Sequence, residues 1–473
     1  MNNLEIEFLK SATTIDSSIF PNSKIPNWIQ DRRDAVRVLV KEMPLENMRQ
    51  WKIDESTRNL KHDSGGFFTI EGIKIRTNWG QVSNWTQPII NQPEIGFLGF
   101  IAKKFDGILH FLVQAKIEPG NINTVQISPT LQATRSNYSQ LHKGKRPRYL
   151  EYFNGEVSVN LLLDQLQSEQ GARFLRKRNR NIIVEIEPER EIESNEDFIW
   201  LTIGQIKQLM RHDNIVNMDT RTVLSGISYG SYSADTLEGL FVLVPGPRRT
   251  RLMLESALNR ECAFNNFRNI VSWITRIKST YDLFVERIPI RQVEQWFERN
   301  GTICRDDGKY FTVIGVNVSI ENREIVSWDQ PMIKPAQEGL LAFIVRPING
   351  VYHFLVQAKL EAGNFDIIEL APTVQCLTGN YRTGKNEYSV PYIKEVLSAP
   401  QDSILMDAMQ SEEGGRFFKE QNRNMIVEVD ESFPLEVSEN YCWMTLNQML
   451  RLIEFNNYLN ISARSLISAI SFA

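Results

Sequence analysis

Apolar residues along the chain follow two spacings, one typical of helices and one typical of strands. Segments 34–41 and 45–51 have a helix-permissive pattern, and Pro44 stands where the second helix would begin. Short runs rich in Phe, Ile, Thr and Val follow at 67–70 and 310–313, and they predict strands. The chain is therefore expected to open with helices and to continue into a sheet.

The clearest local signal is a β-hairpin. Residues 96–101 lead through Asp106 and Gly107 into residues 108–115, and an Asp-Gly pair between apolar runs favours a tight turn. Residues 118–121, with the sequence Glu-Pro-Gly-Asn, predict a further turn.

Further along, residues 161–166 have helical spacing, and Gly171 would cap the end of that helix. Residues 181–186 predict a strand and residues 205–210 another helix. This order of strands, helix, strand and helix indicates an α+β fold with mixed sheets rather than a doubly wound parallel sheet.

The chain also contains an internal repeat. The heptapeptide His-Phe-Leu-Val-Gln-Ala-Lys at 110–116 recurs letter for letter at 353–359, an offset of 243 residues. The same offset relates other identical residues, among them Trp85 and Trp328, Pro129 and Pro372, and Arg221 and Arg464. Further upstream the offset slips to 245, which relates Trp51 to Trp296.

A repeat of this length is a duplicated domain, because solenoid modules have periods of about 20–50 residues. We assign residues 1–227 to the first repeat, 228–269 to a connector and 270–473 to the second repeat. Two related domains usually pack around a pseudo-two-fold axis, and we expect that arrangement here.

Composition excludes several classes of protein. The net charge of −4 over 473 residues gives no general attraction to nucleic acid or to an anionic membrane. No run approaches the roughly 18 apolar residues of a membrane span, and the first residues do not predict a secretory signal. The four cysteines lie far apart without a CxxC pair, so we expect a reducing, cytoplasmic setting.

Common cofactor motifs are missing from the sequence. It contains no GxxxxGK[ST] loop, no GxGxxG after a strand and no HExxH. None of the five histidines stands at metal-ligand spacing from a cysteine or carboxylate. We therefore expect no bound nicotinamide, no metal and no other cofactor.

One local pattern resembles Nudix domains. Residues 112–116, then Pro119-Gly120, follow the Nudix outline, and residues 164–171 stand where its carboxylate-bearing helix would be. Only one carboxylate of that helix is in register, Glu169, with Glu412 in the second copy. Because magnesium-assisted hydrolysis needs several converging oxygen ligands, we expect a Nudix-like fold without the hydrolase chemistry.

A second resemblance covers nearly the whole chain. The motifs Thr-Arg-Ser-Asn-Tyr at 134–138 and Tyr-Leu-Glu-Tyr-Phe at 149–153, together with residues 163–171 and 178–181, are similar to the NDP-hexose 2,3-dehydratases. The resemblance implies two tandem Nudix-like domains per subunit, a homodimer, and a substrate that is dTDP-linked 4-keto-6-deoxyglucose. It implies elimination of water across C2 and C3, which gives a 3,4-diketo sugar for deoxysugar biosynthesis.

This reaction suits a protein without cofactor motifs. The C4 ketone acidifies the proton at C3, so a base can remove it while an acid assists departure of the C2 hydroxyl. General acid–base groups and donors to the enolate oxygen are sufficient.

We single out four catalytic candidates. Tyr138 is a candidate proton carrier or enolate donor if a neighbouring cation lowers its pKa. His142 titrates near neutral pH and is a candidate general acid or base. Lys116 and Glu118 follow a predicted strand, where reactive groups often lie; both recur in the second copy, so a structural salt bridge is the alternative.

Candidate substrate-binding residues come from both copies. Arg135 is the choice for the diphosphate, because a guanidinium matches phosphate oxygens bidentately. Trp51 and Trp296 could stack on thymine or cover the sugar, with core packing as the alternative. The others lie in the loop motifs of the two copies: Thr134, Ser136, Asn137, Arg148, Tyr149, Thr378, Gly379, Asn380 and Tyr381.

The first copy has more cations and a histidine in its loop motif, so we expect the better-equipped site there. The alternative is that both copies bind nucleotide and only one of them is catalytic. The basic run 173–180 is assigned to a solvated helix face. Two other functions stay open, a Nudix-type diphosphohydrolase and a non-catalytic nucleotide-sugar binding protein.

Overall fold

The structure is a computed structural model that describes residues 3–134, 146–193, 195–243, 247–321, 327–376 and 390–472. The helices are α1 (Asn3–Thr13), α2 (Ile25–Asp34), α3 (Ile203–Leu209), α4 (Met218–Ser225), α5 (Ala234–Leu243), α6 (Arg248–Leu258), α7 (Phe267–Thr280), α8 (Ile393–Leu397), α9 (Leu446–Ile453) and α10 (Ile461–Ser468).

The strands of the first repeat are β1 (Val38–Met43), β2 (Trp51–Ile53), β3 (Leu60–His62), β4 (Thr69–Thr77), β5 (Asn84–Asn91), β6 (Phe97–Phe105), β7 (Ile108–Ile117), β8 (Val125–Ser128), β9 (Leu131–Ala133), β10 (Asn160–Ser168), β11 (Arg178–Glu185) and β12 (Phe198–Leu201). Those of the second are β13 (Leu283–Ile288), β14 (Trp296–Arg299), β15 (Thr302–Arg305), β16 (Phe311–Ile320), β17 (Ser327–Pro335), β18 (Gly339–Ile348), β19 (Val351–Lys359), β20 (Glu369–Ala371), β21 (Val374–Cys376), β22 (Ile404–Ser411), β23 (Gln421–Glu428) and β24 (Tyr441–Thr445).

Each repeat contributes one large mixed sheet. In the first, the order is β10-β11-β6-β7-β12, with β8 beside β7 and β9 beside β6. In the second, the order is β20-β19-β18-β23-β22, with β21 beside β18 and β24 beside β19. The β11–β6 and β18–β23 pairs are parallel and the other pairs of these sheets are antiparallel. The predicted α+β class is therefore confirmed.

The two smaller sheets exchange strands between the repeats. Strand β13 of the second repeat pairs with β4 of the first, from Leu283 opposite Thr77 to Ile288 opposite Gly72. Strand β1 of the first repeat pairs in the same way with β16 of the second. Each small sheet is thus completed by the other repeat.

Contacts between the repeats also occur in matched pairs. The amide N–H of Gly120 donates to the carbonyl of Gly414 at 2.7 Å, and that of Gly363 donates to the carbonyl of Gly171 at 2.7 Å. The largest hydrophobic cluster contains buried side chains of both repeats, such as Phe111. The repeats consequently share one continuous core.

The predicted hairpin is confirmed. Strands β6 and β7 are joined by Asp106 and Gly107, whose φ angles are 50° and 75°. Two residues with positive φ form the turn that matches the twist of paired strands, and glycine adopts this conformation without a steric penalty. The predicted strand at 181–186 and helix at 205–210 correspond to β11 and α3.

Two helices predicted near the start of the chain are wrong. Residues 34–41 include the end of α2 and the first part of β1. Residues 45–51 contain only a short 3-10 turn at Leu45–Asn47, and Trp51 begins β2. A strand forms at 38–43 because β16, far away in sequence, offers it an edge.

The helix predicted at 161–166, with its cap at Gly171, is also wrong, because these residues belong to β10. The pairing of β10 with β11 shifts register between Leu161 and Leu163. An extra residue in a strand breaks the strict alternation of apolar side chains, and the resulting spacing resembles that of a helix. The segment 164–171, compared above with the Nudix helix, is therefore strand followed by turn.

Helices α1 and α6 pack on β7 and β19 of the two large sheets. Helix α3 begins with a capping box, in which the Thr202 hydroxyl accepts from the amide of Gln205 and the Gln205 side chain accepts from the amide of Thr202. None of the helices in the described ranges is long and apolar enough to cross a membrane.

Candidate active site

A cavity of about 290 Å³ lies between the repeats. Its lining combines the end of the first large sheet with a turn and a strand of the second repeat. The first repeat contributes Gln50, Trp51, His62, Phe67, Phe68, Gln92, Gly96, Leu98, Lys116, Glu118, Pro119, Gln132, Ala133, Thr134, Glu169, Phe174, Lys177, Asn179 and Asp219. The second contributes Ser327, Trp328, Asp329, Gln330, Glu413, Gly415 and Arg416.

Two of the catalytic candidates face this cavity. Lys116 lies near the end of β7, and Glu118 follows that strand directly in the predicted turn. Glu118 is buried, and the Nε2 atom of Gln132 donates to its Oε1 atom at 2.8 Å. This hydrogen bond fixes the orientation of the Glu118 carboxyl group.

Further ionisable side chains surround Glu118. Glu169 follows β10 and accepts a hydrogen bond from the Nδ2 atom of Asn179 at 2.7 Å. Lys177 precedes β11 and donates to the backbone carbonyl of Glu94. Asp219 comes from α4 and is buried.

Burial alters the protonation of this cluster. The pKa of Glu413 is raised to about 8, mainly by burial; Arg416 and Lys177 oppose the rise, and Glu118 and Glu169 contribute to it. Burial lowers the pKa of Lys177 to about 8, against the opposing effect of Glu169. The cavity therefore holds groups that can exchange protons near neutral pH, a common property of catalytic sites.

Asp219 follows the same rule. Burial raises its pKa well above the usual range, with Glu413, Glu169 and Glu118 adding to the effect. A neutral carboxyl at this position reduces the repulsion among the neighbouring acids.

Aromatic side chains also line the cavity. The indole of Trp51 packs 4.8 Å from the ring of Phe68 and 5.3 Å from that of His62. Its Nε1 atom donates to the backbone carbonyl of Asp329 at 2.8 Å, which ties the first repeat to β17. The guanidinium of Arg416 lies 4.3 Å from the centre of the Phe68 ring.

A second cavity of about 230 Å³ adjoins the first and shares Lys116, Gln132 and Ala133 with it. The exposed Arg148 lines this second cavity. Tyr149 is buried, and its hydroxyl donates to the carbonyl of Glu193 at 2.6 Å. Burial raises the pKa of Tyr149, so this hydroxyl serves as a neutral structural donor.

The structure thus brings Trp51, Lys116, Glu118 and Thr134 to one cavity, and Arg148 to its neighbour. Trp296 packs in a hydrophobic cluster, 4.6 Å from the ring of Phe311. The other candidates lie outside the described residues: Arg135, Ser136, Asn137, Tyr138, His142, Thr378, Gly379, Asn380 and Tyr381.

The sequence prediction missed several cavity residues. The run 173–180 is a turn leading into β11, and Lys177 within it is buried, so its assignment to a solvated helix face is wrong. One available signal was the change of chemistry between equivalent positions. At the offset of 243, Lys177 corresponds to Glu420, and Glu413 corresponds to Gln170.

Among the residues with a described structure, no three His, Cys, Asp or Glu side chains come together as a metal-binding group. In the cavity, Glu413 instead lies near Arg416 and Lys177, whose positive charges oppose the rise of its pKa.

Comparison with known proteins defines the family. The family model of the NDP-hexose 2,3-dehydratases matches residues 22–227 and 267–470, and the chain therefore belongs to this family. A relative from Saccharopolyspora spinosa, a dTDP-4-dehydro-6-deoxy-α-D-glucopyranose 2,3-dehydratase, is 43% identical over 463 residues, which cover 98% of this chain and 94% of the relative.

Two further relatives have the same name. The protein from Amycolatopsis orientalis is 40% identical over 468 residues, with 98% of this chain and 93% of the relative covered. That from Streptomyces violaceoruber is 41% identical over 446 residues, with 94% and 95% covered.

Proposed function

We propose that this chain removes water across C2 and C3 of dTDP-4-keto-6-deoxyglucose, in the cavity lined by Lys116 and Glu118. Membership of the dehydratase family and the activity named for its full-length relatives support this reaction. The observation that carries the location is the buried carboxylate of Glu118 beside cations in a cavity between the repeats.

In this proposal Glu118 is the base that removes the C3 proton. The electron pair of the C3–H bond moves toward C4, and negative charge develops on the C4 oxygen. Lys116, which precedes Glu118 by two residues and also lines the cavity, stabilises that charge as it forms. The electron pair then returns from the C4 oxygen, the C2=C3 double bond forms and the C2–O bond breaks. The product is an enol that tautomerises to the 3,4-diketo sugar.

The roles of the substrate-binding residues are also part of this proposal. Trp51 offers an indole face for thymine or for the sugar, and Arg148 offers a cation in the adjoining cavity. Arg135 is proposed for the diphosphate, Tyr138 and His142 for further proton transfer, and the remaining loop candidates for substrate binding.

We propose that the two repeats are Nudix-like domains related by a pseudo-two-fold axis, with their limits at 1–227 and 270–473 and a connector at 228–269. The reciprocal strand exchange supports the axis. A homodimer and a cytoplasmic location are part of the proposal; the family resemblance supports the first, and four free cysteines support the second. Sedimentation equilibrium would test the dimer, which a monomeric mass would contradict.

Mass spectrometry tests the activity directly. The purified protein is incubated with dTDP-4-keto-6-deoxyglucose, with and without a chelator. We expect enzyme-dependent loss of one water that the chelator does not affect. Cleavage to dTMP would show a diphosphohydrolase instead, and unchanged substrate that nevertheless binds would indicate a nucleotide-sugar binding protein.

A further inference from the structure

A turn of the second repeat completes the cavity of the first. It follows β22 and carries Glu413, which lines the cavity. The amide of Gly120 donates to the carbonyl of Gly414 at 2.7 Å, and the amide of Lys419 donates to the carbonyl of Gly120 at 2.9 Å. The turn is thus fixed against the loop that carries Glu118.

The carboxyl groups of Glu413 and Glu118 both lie close to Gly415. A side chain at Gly415 would collide with the Oε1 atom of Glu413, and its Cβ would lie 3.4 Å from the Oε1 atom of Glu118. Two ionised carboxyl groups near one another repel, which disfavours a negative charge on Glu413. Burial raises the pKa of Glu413 to about 8, so Glu413 holds a proton at neutral pH, while Glu118 accepts the amide hydrogen bond from Gln132.

The equivalent turn of the first repeat lacks this acid. Gln170 stands at the position of Glu413, and its amide donates to Glu412. A glutamine amide cannot supply an acidic proton. The turn of the second repeat therefore contributes an acidic side chain to this cavity. The equivalent turn of the first repeat contributes only the amide of Gln170.

We propose that Glu413 is the proton donor for the C2 hydroxyl as it leaves. This inference rests on the proposed dehydration. The carboxyl O–H bond of Glu413 breaks and its proton joins the departing hydroxyl as water; the electron pair of the C2–O bond leaves with that oxygen. Glu118 has meanwhile gained the C3 proton, so the protein loses one proton and gains one.

The surroundings of Glu413 suit this step. Glu118 and Glu169 disfavour its negative charge before transfer, and the pKa of about 8 keeps it protonated at neutral pH. Arg416 on the same turn, with Lys177 from the first repeat, favours the carboxylate that remains after transfer. The neighbouring Asp219, whose pKa is raised mainly by burial, adds no charge while it is protonated.

The test uses Glu413→Gln, which keeps the shape of the side chain, in heavy water with dTDP-4-keto-6-deoxyglucose. We expect dehydration to fall by about 100-fold or more, as for loss of a general acid. Because the base is intact, the recovered substrate should still gain one deuterium at C3, and dTDP should bind as tightly as to the wild type. Glu413→Asp, which restores an acid, should dehydrate at least about tenfold faster than Glu413→Gln.

Glu420→Gln is the matched control, since it neutralises another buried glutamate away from this cavity and should retain wild-type turnover. Dehydration by Glu413→Gln within about threefold of wild type would overturn the role of Glu413. So would loss of deuterium exchange together with dehydration, or equal activity of the Asp and Gln variants. A wild type that neither exchanges nor dehydrates would overturn the proposed function itself.

Discussion

Several buried positions carry an acid in one repeat and a neutral side chain in the other. Glu369 in β20 corresponds to Gln126 in β8, and both accept a serine hydroxyl from the opposite repeat. Ser168 donates to Glu369 at 2.7 Å, and Ser411 donates to Gln126 at 2.9 Å. The geometry is therefore maintained by either residue, while the response to pH differs.

Glu369→Gln should flatten part of the pH dependence of stability. Burial raises the pKa of Glu369 to about 8 in the folded protein, above its ordinary value of 4.5. A raised pKa means that its contribution is intact below about pH 4.5 and is lost as the pH rises toward 8. We expect the variant to be more stable at pH 8 by about 1–3 kcal/mol and similar to wild type at pH 5.

Urea unfolding at the two pH values measures this difference. Glu55→Gln, at an exposed position, is the control and should follow the wild type at both. Parallel pH curves for wild type and Glu369→Gln would contradict the expected burial effect.

At this scale the sequence identified part of the site. Lys116, Glu118 and Trp51 were predicted from their motifs and line the cavity. Lys177 and Glu413 were missed because their environment depends on a contact between repeats that no local pattern records. The sequence shows that Lys177 and Glu413 differ in charge from their equivalents, Glu420 and Gln170. It does not show where in the fold these side chains lie.

At the scale of elements, turns fix how the repeats meet. Gly120 lies so close to the second repeat that a Cβ there would overlap the carbonyl oxygen of Phe417. Gly107, in the β6–β7 hairpin, has a φ of 75° and no atom within 4 Å of the position of a Cβ. One glycine is required for a close approach and the other only for its backbone conformation.

Gly120→Ala should therefore destabilise the protein by about 3 kcal/mol, because the overlap forces two turns apart. Gly107→Ala should cost about 1–2 kcal/mol, the usual price of a left-handed conformation for a residue with a Cβ. The midpoints of urea unfolding compare the two. Equal losses of stability would contradict the interpretation of the Gly120 contact.

The element-scale predictions succeeded where local chemistry decides the structure. The Asp106-Gly107 turn gave the hairpin correctly. The prediction failed for β10, whose bulge disguises its alternation, and for β1, whose pairing partner belongs to the other repeat. The sequence of β1 alone does not indicate which distant strand it will pair with.

At the scale of the whole molecule, two buried arginines connect the repeats. Arg221 donates to the Oγ atom of Ser465 at 2.6 Å and to the carbonyl of Ser411. Its equivalent, Arg464, donates to the carbonyl of Ser168. Together with the exchanged strands and the shared core, these contacts make each repeat dependent on the other.

We therefore expect the chain to unfold as one unit. Scanning calorimetry should give a single transition with a calorimetric enthalpy close to the van't Hoff enthalpy. Two separate transitions would mean that the repeats are independently stable, which the strand exchange does not allow. The duplication itself was evident from the sequence, whereas this mutual dependence required the structure.

The most direct measurement is the turnover number of Glu118→Gln beside that of Glu361→Gln, with dTDP-4-keto-6-deoxyglucose as substrate. Glu361 occupies the equivalent position in the second repeat and accepts from Gln375 at 3.0 Å, so the two substitutions remove the same kind of carboxylate. We predict a loss of about 100-fold or more for Glu118→Gln and a change within about threefold for Glu361→Gln. Equal losses, or a loss confined to Glu361→Gln, would contradict the assignment of catalysis to the cavity of the first repeat.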